Sequence, residues 1–164
     1  MATNNRLDWD EYFLSIVDAV SKRATCDRGK SGCIIVDDKK MIISTGYVGS
    51  VSGDEHCDDV GHLFVMKKSL DGEYSQHCIR TVHAEMNAIA QAAKRGVRIE
   101  DATLYCTMEP CFECAKVIIQ CGIKRVVCKY YYHKAELTRE IFHKRGIILN
   151  VKMIIEAPYD KDKE

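Results

Sequence analysis

The run TLYCTMEPCFECAKVIIQCGIKRVVCK, residues 103–129, reads as a strand, a helix and a second strand in direct succession. Thr103 to Thr107 and Arg125 to Lys129 are short segments of strand-forming residues. Between them Cys111 to Gln120 carries apolar residues at helical spacing, and Gly122 follows as a stop. Strand and helix in alternation imply a sheet covered by helices.

The same alternation continues outward. Upstream, His83 to Arg95 has helical spacing and ends at Gly96; downstream, a helix near Lys134 to Lys144 ends at Gly146 and a strand near Ile147 to Ile154 follows. Nearer the start, Trp9, Tyr12, Phe13, Ile16, Val17 and Val20 recur at steps of three and four from Trp9 to Arg23, with Asp8 as the candidate cap. Cys33 to Val36 and Met41 to Thr45 read as two strands joined by a turn at Asp37, Asp38, Lys39 and Lys40.

The stretch from Gly46 to Val82 is different. It is rich in glycine, histidine and cysteine and has little periodicity beyond a short helix expected near Leu63 to Lys68. A structureless loop of that length is uncommon in a compact domain, so it needs a ligand, a metal or a partner to fix it. No internal repeat interrupts the chain, residues 1–164 read as a single domain, and only the tail APYDKDKE, 157–164, reads as disordered.

Composition narrows the function classes. Lys and Arg total 24, as do Asp and Glu, so no net field draws the protein to nucleic acid and a small ligand is favoured. No apolar run approaches the roughly 18 residues that span a bilayer, and the opening MATNNRLDWDEYF lacks the plan of a signal peptide, so a soluble, cytoplasmic protein without membrane partners is expected. Nine cysteines in a reducing compartment point to metal ligation more than to disulfides.

Two pieces carry the chemistry, His83-Ala84-Glu85 and Pro110-Cys111-Phe112-Glu113-Cys114, each at a helix start. Cysteines three apart in a first helical turn project from one side, and the proline suits a helix start. The helix dipole and a metal charge both favour thiolate, and His83 supplies a third ligand through a ring nitrogen. Three ligands leave one tetrahedral position open, the pattern of catalytic zinc, and Glu85 then serves as a base and not as a fourth ligand. The rival is a structural zinc clip with an unnamed fourth group and Glu85 merely solvated.

The HxE and PCxxC pair resembles that of zinc nucleobase deaminases, in which the glutamate is acid and base. More specifically, TVHAEMNAI (81–89), PCFECAKVIIQCGIKRVV (110–127) and STGYVGSVSG (44–53) resemble the deoxycytidylate deaminase family over about Asp8 to Asn150. The resemblance implies a three-layer α/β/α sandwich around a mixed five-stranded sheet, the cytidine deaminase-like fold. It implies hydrolysis of dCMP to dUMP and ammonia for thymidylate synthesis, with Glu85 shuttling protons to ring N3 and then to the leaving amino group. It also implies a homo-oligomer, in many members a hexamer, activated by dCTP and inhibited by dTTP, with magnesium accompanying the nucleotide effector.

By the same resemblance Gly46, Tyr47, Val48 and Gly49 form the nucleotide- and effector-binding loop, with Val48 where the family has asparagine. Glycines there would let backbone N–H groups approach a sugar or phosphate. Ala84, Lys94 with Arg95, and Tyr130 with Tyr131 and Tyr132 are further candidates for substrate or effector contact. A charged helix end and half-buried strand tyrosines explain the last two groups equally well.

Members of the family often carry a second, structural zinc, which here implies Cys26, Cys57, His62 and Cys78, with His56 and His77 as rivals for the imidazole. Such a site would tie the long loop to the end of the first helix. Cys33, Cys106, Cys121 and Cys128 sit in strand or helix patterns and read as buried apolar residues. Two other functions compete: deamination of dCTP, nucleoside or nucleic acid, and a catalytically silent zinc-containing nucleotide sensor. The intact Glu85 weighs against the sensor.

Overall fold

The computed structural model describes residues 6–68 and 72–156, so the expected disordered tail at 157–164 lies outside the described residues. The first helix, α1, runs Trp9–Ser21 behind a capping box in which the Glu11 N–H donates to Asp8 Oδ1 at 2.8 Å and the Asp8 N–H donates back to Glu11 Oε2 at 3.3 Å. The helix buries Phe13, Leu14 and Val17, while Trp9 and Tyr12, expected inside, stay about half exposed at 54% and 45%. Strands β1 (Gly32–Val36) and β2 (Ile42–Tyr47) follow, antiparallel, their turn closed by Asp37, whose carboxylate accepts from the Lys39 and Met41 N–H groups.

After a two-residue strand β3 (Gly49–Ser50) and a single-turn helix α2 (Cys57–Val60) comes a hairpin of β4 (Phe64–Lys68) and β5 (Tyr74–Cys78). Strand β6 (Thr81–Val82) then pairs with β3. The stretch expected to be loop is therefore largely ordered, and Leu63 to Lys68 is strand rather than helix. Its backbone groups are taken by pairing with 74–78, a partner that lies too far along the chain for a local helical pattern to reveal.

From α3 (Ala84–Lys94) onward the elements fall where the periodicity placed them: β7 (Thr103–Met108), α4 (Phe112–Gln120), β8 (Arg125–Tyr131), α5 (Glu136–Lys144) and β9 (Ile148–Glu156). Gly96, Gly122 and Gly146 follow the C-caps of the three helices with φ of 64°, 73° and 70°. The central sheet has the order β2-β1-β7-β8-β9; β1 is antiparallel to β2 and β7, and β7, β8 and β9 are parallel.

Alternation along the strands divides the core into two layers. Cys33, Ile35, Leu104, Cys106, Val126 and Cys128 face α3, α4 and α5 through Ala88, Ala92, Ala115, Ile118 and Phe142. Ile34, Val36, Tyr105 and Val127 face the other way, onto Phe13, Leu14 and Val17 of α1. The result is the mixed five-stranded sheet between helical layers. Cys33, Cys106 and Cys128 are fully buried as expected, whereas Cys121, at the C-cap of α4, is partly exposed. Among the described residues no helix is long and apolar enough to cross a membrane.

Candidate functional site

His83 and Cys111 occupy equivalent places, each the N-cap of its helix, with extended backbone at ψ 152° and 165°. Neither side chain caps its own helix, so both are left to point outward from the helix ends. Pro110 accordingly stands one position ahead of the cap rather than at the first helical residue, where its fixed φ still shapes the entry to α4. Cys114 sits in the first turn of α4 and is buried at 1% exposure.

The two helix starts converge. His83 Nδ1 lies 3.4 Å from Cys111 Sγ and 3.4 Å from Cys114 Sγ, and the three ligand atoms all fall within 4.8 Å of one another. That spacing and donor set fit a tetrahedral zinc with three protein ligands. Glu85, in the first turn of α3, is 5% exposed and places Oε2 3.8 Å from Cys114 Sγ. One turn of helix therefore brings the carboxylate beside the ligand set without making it part of the set.

The four groups shift one another's protonation. The hydrogen bond from Cys114 and the neighbouring His83 hold the Cys111 thiol well below its ordinary range, and the Cys111 thiolate in turn pushes the Cys114 thiol up. Cys111 also raises His83 to about 9. Burial raises the Glu85 carboxyl above its ordinary value.

A second ligand-rich cluster fixes the 57–78 segment. Cys26 Sγ, Cys57 Sγ and His62 Nδ1 lie within 4.8 Å of one another, and Cys78 Sγ is 3.7 Å from Cys57 Sγ. The other ring nitrogen of His62, Nε2, lies 3.2 Å from Asp27 Oδ1, an arrangement that fixes the tautomer with Nδ1 free for a metal. Burial, with the neighbouring Cys78 and Cys26, pushes the Cys57 thiol up to about 12. His77 is instead 3.0 Å from Ser75 Oγ, and His56 stands at the N-cap position of α2 without a side-chain bond to it; the imidazole grouped with Cys26 and Cys57 is that of His62.

The proposed nucleotide loop has internal reasons for its residues. A Cβ on Gly46 would stand 2.3 Å from Ala88 N and 2.4 Å from Ala84 O, so the glycine is demanded by the approach of β2 to α3; one on Gly49 would stand 2.7 Å from Thr25 Oγ1. Tyr47 O accepts from Asn87 Nδ2 at 2.7 Å, and Val48 is tied through its main chain to Ser31 and Thr25. Ala84 is buried at 1% exposure. Lys94 and Arg95 are exposed at the far end of α3, which at about 1.5 Å per residue is roughly 13 Å from Glu85. Tyr130 is half-buried beneath Lys129, whose Nζ is 5.4 Å from the ring centre.

Residues 7–130 match the family described as the cytidine and deoxycytidylate deaminase zinc-binding region. The chain belongs to that family. It is 41% identical over 160 residues to ComE operon protein 2 of Bacillus subtilis, covering 97% of this chain and 79% of that protein. It is also 38% identical over 125 residues to a deoxycytidylate deaminase of Mycobacterium phage D29, covering 75% and 95%. Among solved structures, the dCMP deaminase of cyanophage S-TIM5 in complex with dCMP and dUMP superposes with a TM-score of 0.71 at 26% identity, over 89% of this chain and 98% of that one. The fold is thus cytidine deaminase-like, and both ligand clusters fall inside the family's zinc-binding region, in a zinc-dependent deaminase family of hydrolases.

Sequence reasoning overlooked Glu109, Arg139, Asn87 and Asp27. Buried Glu109 and half-buried Arg139 form a pair 30 residues apart, and Asn87 reaches Tyr47 across 40, separations over which no spacing rule operates. Asp27 stands beside Cys26, and an acid next to a candidate ligand was a signal available in the sequence.

Proposed function

We propose that this deaminase hydrolyses dCMP to dUMP and ammonia, with His83, Cys111 and Cys114 as zinc ligands and Glu85 as the proton carrier. The observation that carries the reading is the convergence of two helix N-termini on one three-ligand cluster with a buried carboxylate beside it. The choice of dCMP is supported by relatives named for that activity and by the related phage enzyme in complex with dCMP and dUMP.

Zinc in such a site lowers the pKa of a water molecule and so supplies a nucleophile at neutral pH. Glu85 accepts the proton that leaves this water and delivers it to ring N3 as the C4–O bond forms. It then moves the hydroxyl proton to the exocyclic amino group, the C4–N bond breaks, and ammonia leaves a uracil carbonyl. The raised pKa of the buried carboxyl favours the uptake.

The Cys26, Cys57, His62 and Cys78 cluster is assigned a structural zinc, with Asp27 orienting His62. A homo-oligomer regulated by dCTP and dTTP belongs to the same reading. Zinc-loaded protein should be offered dCMP, dCTP, deoxycytidine and a cytosine-containing oligonucleotide, with and without dTTP, and ammonia and uracil products measured. Fastest release from dCMP is expected; turnover of the oligonucleotide alone, or of none, would overturn the reading.

A further inference from the structure

Glu109 is a carboxylate with 1% exposure that neither holds the candidate metal nor moves a proton in the chemistry above. It lies two residues before Cys111, and its Oε1 accepts from Arg139 Nε at 2.8 Å. Its Oε2 accepts from Arg139 Nη2 at 2.7 Å and from the Tyr132 N–H at 2.8 Å. The Glu109 N–H donates to Tyr130 O at 3.1 Å. Arg139 Nη2 donates also to Tyr132 O at 2.7 Å, and the guanidinium lies 4.3 Å from the centre of the Tyr131 ring.

A buried charge is expensive unless paired and fully hydrogen-bonded; here two bonds join the pair itself and the other two side-chain bonds go to the main chain of Tyr132, with the Glu109 N–H adding one to Tyr130. Glu109 takes the N–H of Tyr132, and Arg139 shares the Tyr132 C=O with the Ala135 N–H, which donates to it at 3.1 Å. The stretch 130–132 continues β8 beyond the point where Tyr130 stands in register with Met108, so it runs beside Glu109, two residues before Cys111. In an α/β sheet the ligand crevice lies outside the carboxyl ends of parallel strands, where this stretch sits. The metal side has separate support, because Cys111 is already held as the cap of α4 by the Ala115 N–H to Cys111 O bond of 2.9 Å.

We propose that the Glu109–Arg139 pair is a positioning device for the substrate, holding Tyr131 and Tyr132 as a fixed wall beside the Cys111 turn for the nucleotide to bind against. The claim rests on the nucleotide deaminase reading and adds to it two positioning residues outside the ligand set. Loss of the pair loosens the wall and weakens nucleotide binding, while zinc stays in place.

The test compares zinc-loaded wild type with Glu109→Gln and Arg139→Lys, measuring zinc content, kcat and KM on the cytosine nucleotide that wild type deaminates. Displacing a positioning wall by about 1 Å is enough for a KM increase of about tenfold or more, with kcat within about threefold and zinc unchanged. Arg139→Lys, which keeps the charge and loses the two-pronged geometry, should shift KM in the same direction by less. An unchanged KM in the folded variants, or loss of zinc, would overturn the claim, since a purely structural or metal-holding role predicts those results. Should Glu109→Gln fail to fold, Arg139→Lys decides alone. Should wild type deaminate no nucleotide, the functional reading falls, and dUMP affinity by calorimetry then judges the wall: about tenfold weaker in the variants supports it and equal affinity sinks it.

Discussion

At Gly46 a hydrogen in place of a methyl group decides whether β2 can lie against α3, because the missing Cβ would sit 2.3 Å from Ala88 N. The neighbours there are helix backbone, which cannot step aside as a flexible side chain would. Gly46→Ala should therefore lower unfolding stability by about 1–3 kcal/mol or more, read as a lower urea midpoint with an unchanged slope. Asp10 is a different kind of single-residue case. Burial pushes its carboxyl up, but hydrogen bonds from Arg125, Lys152 and Tyr105 outweigh that and hold it at about 2, against 3.8 ordinarily. A depressed carboxyl stabilises the fold above its unfolded value and loses that contribution as pH falls towards the folded one. The stability gap between wild type and Asp10→Asn should thus be full above pH 3.8 and vanish near pH 2. With the side chain only 14% exposed but the cations reaching solvent, roughly 1–2 kcal/mol is expected after screening. A gap that does not change across this window in acid titrations followed by chemical unfolding would contradict the assignment.

Elements show what could and could not be read from the chain. The alternation from α3 to β9 was legible because each helix carries its own apolar spacing and its own glycine stop, both local signals. The ligand set was legible for the same reason: His83 and Glu85, and Cys111 and Cys114, are close in sequence, and only the meeting of the two helix starts needed the fold. The β4–β5 hairpin was not legible as strand, since Phe64 to Lys68 takes its meaning from residues 74–78 opposite. Glu109 and Arg139 were invisible because their pairing depends on where α5 docks. With the proposed structural zinc on Cys26, Cys57, His62 and Cys78, Cys57→Ser should reduce zinc from about two ions per chain to about one and speed amide exchange through 57–68 and 72–78. An unchanged metal count would remove the second site from the account.

Among the described residues, α1 covers one face of the sheet and α3, α4 and α5 the other, and the two helices that supply ligands, α3 and α4, belong to the same face. That packing sets His83 and Cys111 side by side and buries Glu85 between the helix starts and the sheet, where a carboxyl is raised and water is scarce. Balanced charge, 24 cations against 24 anions, leaves recognition to this local geometry rather than to a long-range field. The central claim is that the metal cluster and the carboxylate divide the work. It is tested most directly by measuring ammonia release from dCMP with zinc-loaded wild type and Glu85→Gln side by side. Equal zinc is expected in both proteins, with turnover lower by roughly a hundredfold to ten-thousandfold or more in the variant. Equal turnover by the two, or loss of zinc in Glu85→Gln, would contradict it.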